Sequence, residues 1–261
     1  MLAGMQAAPG TVQTLLVPWP ALDTRREVKV WLPPDYQRSG RPLPVAYLLD
    51  GQNVFGPGIP HGSWKADLAG AALAAKGLEL LLVALPHGSE ARIPEYTVRP
   101  DSRHGGGNGA TTLRALVEAV KPWVDARFRT LAGQRHTALI GSSLGGLLAL
   151  EAGLRFPSTF GFLGVLSPSV WWADRAALRD AARVNPRWGQ TYHLTTGDAE
   201  GDRPAASARQ VEETRALHAV LTGRGAQATL SVTPGGHDEC TWAAQLPGVL
   251  RAFGALLADR A

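Results

Sequence analysis

The sequence predicts an α/β fold: a mostly parallel eight-stranded sheet with helices on both faces. Three observations predict it. Short strands of continuous apolar character recur between residues 45 and 234, and longer helical segments separate them. Strands of that kind are buried on both faces, which requires helices above and below the sheet. The chain, at 261 residues and 45% hydrophobic, is also large enough to bury a full-sized core.

Taken in order, the chain opens with two β-like segments, TVQTLLVP (residues 11–18) and REVKVWLP (26–33). The polar, proline-containing connection between them suits an antiparallel pair. The pattern then changes to alternation: VAYLLD (45–50), a helix over 63–76, LELLLVAL (78–85), a helix over 111–128 and TALIGS (137–142). It continues with a helix over 145–156, FLGVLS (162–167), a helix over 174–184, TYHLTTG (191–197), a helix over 206–222, ATLSVTP (228–234) and a closing helix over 241–259. Two leading strands and six more make eight, the count of the α/β-hydrolase fold. No internal repeat and no long linker divides the chain, so residues 1–261 read as a single domain. The least regular stretch, 86–109, contains RHGGGNG and reads as one long glycine-rich loop, a length typical of functional lids. Its glycines match neither the P-loop nor the dinucleotide pattern.

Composition narrows the function classes. The net charge is +4, but the basic residues are scattered among Asp and Glu, without a basic stripe, which argues against a nucleic-acid partner. The one cysteine, Cys240, can form neither an internal disulfide nor a thiolate metal cluster. MLAGMQAAPG has no secretory pattern, and the longest apolar run, LELLLVALP, is too short to cross a bilayer. A cytoplasmic protein without a membrane partner is the expectation.

The chemistry centres on LIGSSLGGLLAL, residues 139–150. Gly141, Ser143 and Gly145 stand in G-x-S-x-G register, whereas Ser142 lacks the flanking glycines. A nucleophile presented on a sharp strand-to-helix turn needs small neighbours where strand and helix approach closely. TALI before the motif and GGLLALEAGLRF after it supply that setting. A serine hydroxyl also needs a base. His193 lies within a strand pattern and His218 within a helix, so both read as structural; His237, in a glycine loop between the last strand and the last helix, reads as the base. TTGDAEGD offers Asp198, Glu200 and Asp202 as the acid that orients the imidazole. The order serine, acid, histidine is that of the α/β-hydrolases. For the oxyanion hole, one donor is the N–H of Leu144 and the other that of Gln52, after the Asp50-Gly51 turn, with Asn53 as the alternative.

These blocks resemble the putative-esterase branch of the α/β-hydrolases, which includes esterase D-type enzymes, siderophore esterases, some feruloyl esterases and the mycobacterial mycolyltransferases. YLLDGQNVF, RIPEYT, VKPWVDARFRT, GSSLGGLLAL, LSPSVWW and PGGHDECTW fall in that family's order and approximate spacing. The resemblance implies a lightly covered serine esterase acting on a small-molecule ester, with Ser143 and His237 in catalytic roles and no metal or organic cofactor. It points to Glu200 as the acid, with Trp171 and Trp172 lining the acyl or alcohol site. Glu200 also has the longer reach, while Asp198 should sit in the turn and Asp202 farther out near the next helix. Cys240 begins a helix and lacks the setting of a nucleophile. Two other readings are an acyltransferase, in which an alcohol replaces water, and a catalytically silent binding protein of the same fold.

Overall fold

The computed structural model describes residues 10–56, 62–184 and 189–258. Among them, eight strands form one sheet in the order β1-β2-β4-β3-β5-β6-β7-β8. They are β1 (Thr11–Trp19), β2 (Thr24–Leu32), β3 (Val45–Leu48), β4 (Leu81–Ala84), β5 (Thr137–Ser142), β6 (Phe162–Leu166), β7 (Thr191–Gly197) and β8 (Gln227–Thr233). Pairing is antiparallel from β1 to β2 and from β2 to β4, and parallel everywhere else. The register sets Ser142 beside Leu166 and Gly197 beside Thr233. Four strand ends therefore deliver their following loops to the carboxyl end of the sheet.

The helices are α1 (Tyr36–Ser39), α2 (Ala66–Ala74), α3 (Arg92–Tyr96), α4 (Gly109–Ala115), α5 (Lys121–Arg127), α6 (Leu144–Arg155), α7 (Trp172–Arg183), α8 (Pro204–Gly223) and α9 (Glu239–Ala258). Every residue of β3, β4, β5 and β6 is buried, as expected for strands covered on both sides. Side chains alternate between two cores. Tyr47, Leu139 and Val165 join Leu147, Leu150, Ala177 and Leu217 on the face covered by α4–α8. Ala46, Leu48, Ile140 and Phe162 meet Leu73, Trp242, Leu246 and Phe253 of α2 and α9 on the other.

Three stretches differ from the sequence expectation. Residues 86–109 are not one loop, because they hold α3, whose Arg92 and Tyr96 bind Asp50. The helix expected over 111–128 runs from Gly109 to Arg127 through a π-helical turn at Leu116–Val120. Pro122, at the start of α5, has no N–H to continue an α-helical ladder, and the wider turn precedes it. In α7, Ala173, Asp174 and Arg175 have φ of 47°, 52° and 57°, so its first turn is left-handed. Asp259, the expected end of the closing helix, lies outside the described residues. Among those described, no helix is long and apolar enough to cross a membrane.

Candidate active site

Ser143 sits between the end of β5 and the start of α6 with φ 55° and ψ −121°. A non-glycine residue with positive φ is strained, and its neighbours must hold it there. Ser143 N–H donates to Leu166 O at 3.0 Å, and Ser169 N–H donates to Ser143 O at 3.1 Å. The turn is thereby fixed to the end of β6. Space explains the glycines: a Cβ on Gly141 would collide with Gly145 O, and one on Gly146 would lie 2.7 Å from Leu166 O. A Cβ on Gly145 would stand 3.0 Å from an Asp50 carboxylate oxygen.

His237 stands in the loop between β8 and α9, and Glu200 follows β7. His237 Nε2 is 2.9 Å from Ser143 Oγ, and His237 Nδ1 is 2.9 Å from Glu200 Oε2. One imidazole thus bridges the serine and the acid through its two nitrogens. The Glu200 side chain is only 1% exposed. Its other oxygen, Oε1, accepts Ser167 Oγ–H at 2.5 Å, Thr196 Oγ1–H at 3.1 Å and the Gly197 N–H. Such a buried carboxylate has both oxygens satisfied. Trp242 Nε1–H in turn donates to Ser167 Oγ at 3.0 Å, and its ring meets the His237 ring edge-on at 5.2 Å.

The other acids are placed differently. Asp198 is exposed and accepts the Gly235 N–H at 3.1 Å, joining the two loops rather than bonding its own turn. Asp202 is exposed, 3.5 Å from Arg203. His193 bonds Thr229 and His218 bonds Ala228 O, each away from Ser143. Sequence reasoning missed Ser167, Thr196 and Trp242, although LSPSVWW and PGGHDECTW contain two of the three.

The Asp50 turn is left-handed, with φ 54°. Within it, Gly51 N–H donates to Leu85 O at 2.9 Å and Asn53 N–H to Asp50 O at 2.8 Å. Those bonds engage the amide of Asn53 and leave the Gln52 amide as the candidate donor, while the Gln52 side chain turns to His87 O at 2.9 Å. Leu144 is the first residue of α6, where the leading N–H groups lack intrahelical acceptors. The Asp50 carboxylate takes a two-pronged bond from Arg92 at 2.6 and 3.0 Å, and the Asp50 N–H donates to the Tyr96 hydroxyl at 2.8 Å. Burial pushes the Tyr96 phenol well above its usual range, so it stays protonated there.

Two clefts meet at His237. The first, about 420 Å³, is lined by Asp50, Asn53, Arg92, Ser143 and Trp242 together with His237. The second, about 480 Å³, lies over α8 and is lined by Trp171, Arg175, Arg209, Gln210 and Glu213 together with His237. Trp171 is 44% exposed at its rim. Trp172 is 4% exposed, donates its indole N–H to Arg99 O at 2.8 Å, and lines neither cleft. Cys240 is exposed and lines neither. Among the described residues, no group of three or more His, Cys, Asp and Glu side chains is placed to hold a metal.

A family model described as "Putative esterase" matches residues 20–253. Among curated proteins, YbbA of Bacillus subtilis, described as uncharacterized, is 26% identical over 77% of this chain and 79% of its own length. The siderophore triacetylfusarinine C esterase of Aspergillus fumigatus is 32% identical over 56% of this chain, and the match spans about half, 51%, of that esterase. Among solved structures, the siderophore hydrolase EstA of Aspergillus nidulans superposes with a TM-score of 0.75 at 20% identity, covering 98% of this chain and 97% of that one.

Proposed function

Because the chain belongs to the putative-esterase family, we propose that it hydrolyses carboxylic esters in two steps, with Ser143 as nucleophile, His237 as base and Glu200 as orienting acid. Esterase activity comes with the family; the assignment of steps to residues is our reading. One observation carries it: a single imidazole lies 2.9 Å from Ser143 Oγ on one side and 2.9 Å from the buried Glu200 on the other.

In the first step Ser143 Oγ bonds the ester carbonyl carbon as its proton passes to His237 Nε2. The carbonyl oxygen becomes an oxyanion held by the N–H groups of Leu144 and Gln52. The bond to the alcohol then breaks, and Nε2 returns the proton to the leaving oxygen. In the second step water attacks the acyl-serine, gives its proton to Nε2, and the acid departs as Ser143 Oγ recovers a proton. Glu200 holds the Nδ1 proton throughout and stabilises the imidazolium. Ser167, Thr196 and Gly197 fix Glu200 by filling its other oxygen.

The chain works in this reading as a single α/β-hydrolase domain on a small ester, and the siderophore-directed relatives support small-molecule over macromolecular substrates. A single cysteine is compatible with a reducing, cytoplasmic setting. A fluorophosphonate probe tests the assignment. It should label the protein once, at Ser143, and Ser143→Ala should abolish labelling and ester turnover while Ser142→Ala retains both. An adduct mapped to another serine would sink it.

A further inference from the structure

The cleft over α8 shares His237 with the first cleft but not Ser143 or the Asp50 turn. The nucleophile and the oxyanion donors hold the acyl carbon, and His237 Nε2 must reach the leaving oxygen to protonate it. A cleft that opens beside the histidine and not beside the serine therefore suits the alcohol half of the ester. Its walls are unusual in backbone and in charge.

The backbone is strained where it enters. Three consecutive non-glycine residues, Ala173, Asp174 and Arg175, take left-handed conformations, each unfavourable for an L-residue. The surroundings hold them there: Ala173 N–H donates to Asp101 at 3.2 Å, and Arg179 reaches back to Ala173 O at 3.3 Å. Strain maintained in this way clusters at functional sites. Here it carries Arg175 to the cleft, 3.1 Å from the buried Glu213.

The charges leave one cation over. Glu213 is engaged by Arg175, and Glu200 faces His237 and its own donors. Arg209, exposed on α8, lines the same cleft and has no hydrogen-bond or ion-pair partner among the described residues. Trp171 supplies an exposed apolar wall of the same cleft. An unpaired guanidinium and an aromatic face in one cleft fit a carboxylate on an apolar frame.

We propose that the cleft over α8 is the leaving-group subsite and that it selects an alcohol bearing a carboxylate, with Arg209 as its charge partner and Trp171 as its wall. This rests on the serine-esterase reading. Because the alcohol departs before water attacks, Arg209 acts in acylation and not in deacylation.

The test compares the acetate ester of 3-hydroxybenzoate with that of 3-hydroxybenzamide, which differ in the charge of the leaving group. The wild-type protein should favour the carboxylate in kcat/KM by roughly tenfold, in the range of a charge-assisted hydrogen bond. Arg209→Glu should abolish or invert that ratio. Arg215→Glu, an equal charge change at an exposed position on the same helix outside the cleft, should keep it. A carboxylate moved to the acyl half, as in the phenyl monoester of succinate against phenyl butanoate, should give a ratio that Arg209→Glu leaves unchanged. Equal turnover of the two acetate esters, or a response confined to the acyl half, would overturn the subsite alone. No turnover of any of the four esters would overturn the esterase reading and the subsite with it.

Discussion

Asp198 Oδ1 accepts the Gly235 N–H at 3.1 Å, so the loop that carries Glu200 is fastened to the loop that carries His237. Two backbone bonds add to it, from Asp198 N–H to Thr233 O and from Ala199 N–H to Gly235 O, both at 3.0 Å. Neighbouring carboxylates in one short loop thus have separate tasks. Asp198 ties the loops, and Glu200 meets the imidazole.

That separation gives the first prediction. In Glu200→Gln, an amide oxygen at the Oε1 position keeps the bonds from Ser167, Thr196 and Gly197, which directs the NH₂ group at His237 Nδ1. Nδ1 must then accept, the ring proton moves to Nε2, and Nε2 can no longer take the proton of Ser143. The expected loss in kcat is about 10²–10⁴-fold with the fold intact by circular dichroism. Asp198→Asn retains an acceptor for Gly235 and should stay within about tenfold of wild type. The reverse ranking would assign the acid to Asp198.

Space around the elbow gives the second. Gly141→Ala drives a methyl group into Gly145 O and to within 2.9 Å of a Leu49 methyl, between a strand and a helix that are both buried. Urea denaturation should show a loss of at least about 2 kcal/mol, the scale of an overpacked core. Gly223→Ala, at the end of α8, meets nothing within 4 Å and should be neutral or slightly stabilising. Equal midpoints for the two variants would contradict the packing argument.

The third concerns acid stability. Burial holds His193 below the usual imidazole range; it does the same for His136, helped by Arg135, and for His87, where it outweighs the nearby Asp50. These side chains resist protonation when folded and accept it when unfolded. Their contribution is complete above the unfolded value, about 6.5, and is lost as pH falls below it toward the depressed folded values. The thermal midpoint should therefore drop on acidification from about pH 7 to pH 5.5, and His193→Gln should flatten that slope. A midpoint constant across the window would show that the three imidazoles titrate alike in both states.

The mostly parallel sheet covered on both sides was legible because β3 to β6 are apolar on both faces, a pattern that survives any detail of the loops. Ser143 and His237 were legible as loop residues at the ends of particular strands. Which carboxylate faces the imidazole was harder to read, since Asp198, Glu200 and Asp202 alternate in one loop and what separates them comes from elsewhere: Ser167 after β6 and Trp242 in α9. Helix α3 gave no signal, because five residues including Pro94 cannot show a helical period. The left-handed turn at Ala173–Arg175 was hidden for the opposite reason. WADRAALRDAAR has an ordinary helical composition, and no residue in its first turn marks a reversal of hand. The exposed Trp171 and the buried Trp172 stand immediately before that turn.

Trp242 bears on how the chain is made. Ser143 and His237 are 94 residues apart, and the indole that braces both Ser167 and the imidazole belongs to α9. During synthesis the turn at Ser143 is made before the loop after β8, so the nascent serine at first has no imidazole beside it. In the proposed mechanism the serine needs that imidazole, and α9 supplies the ring that braces it. A chain interrupted before α9 would carry the whole G-x-S-x-G motif and His237 without the Trp242 indole that braces Ser167 and the imidazole.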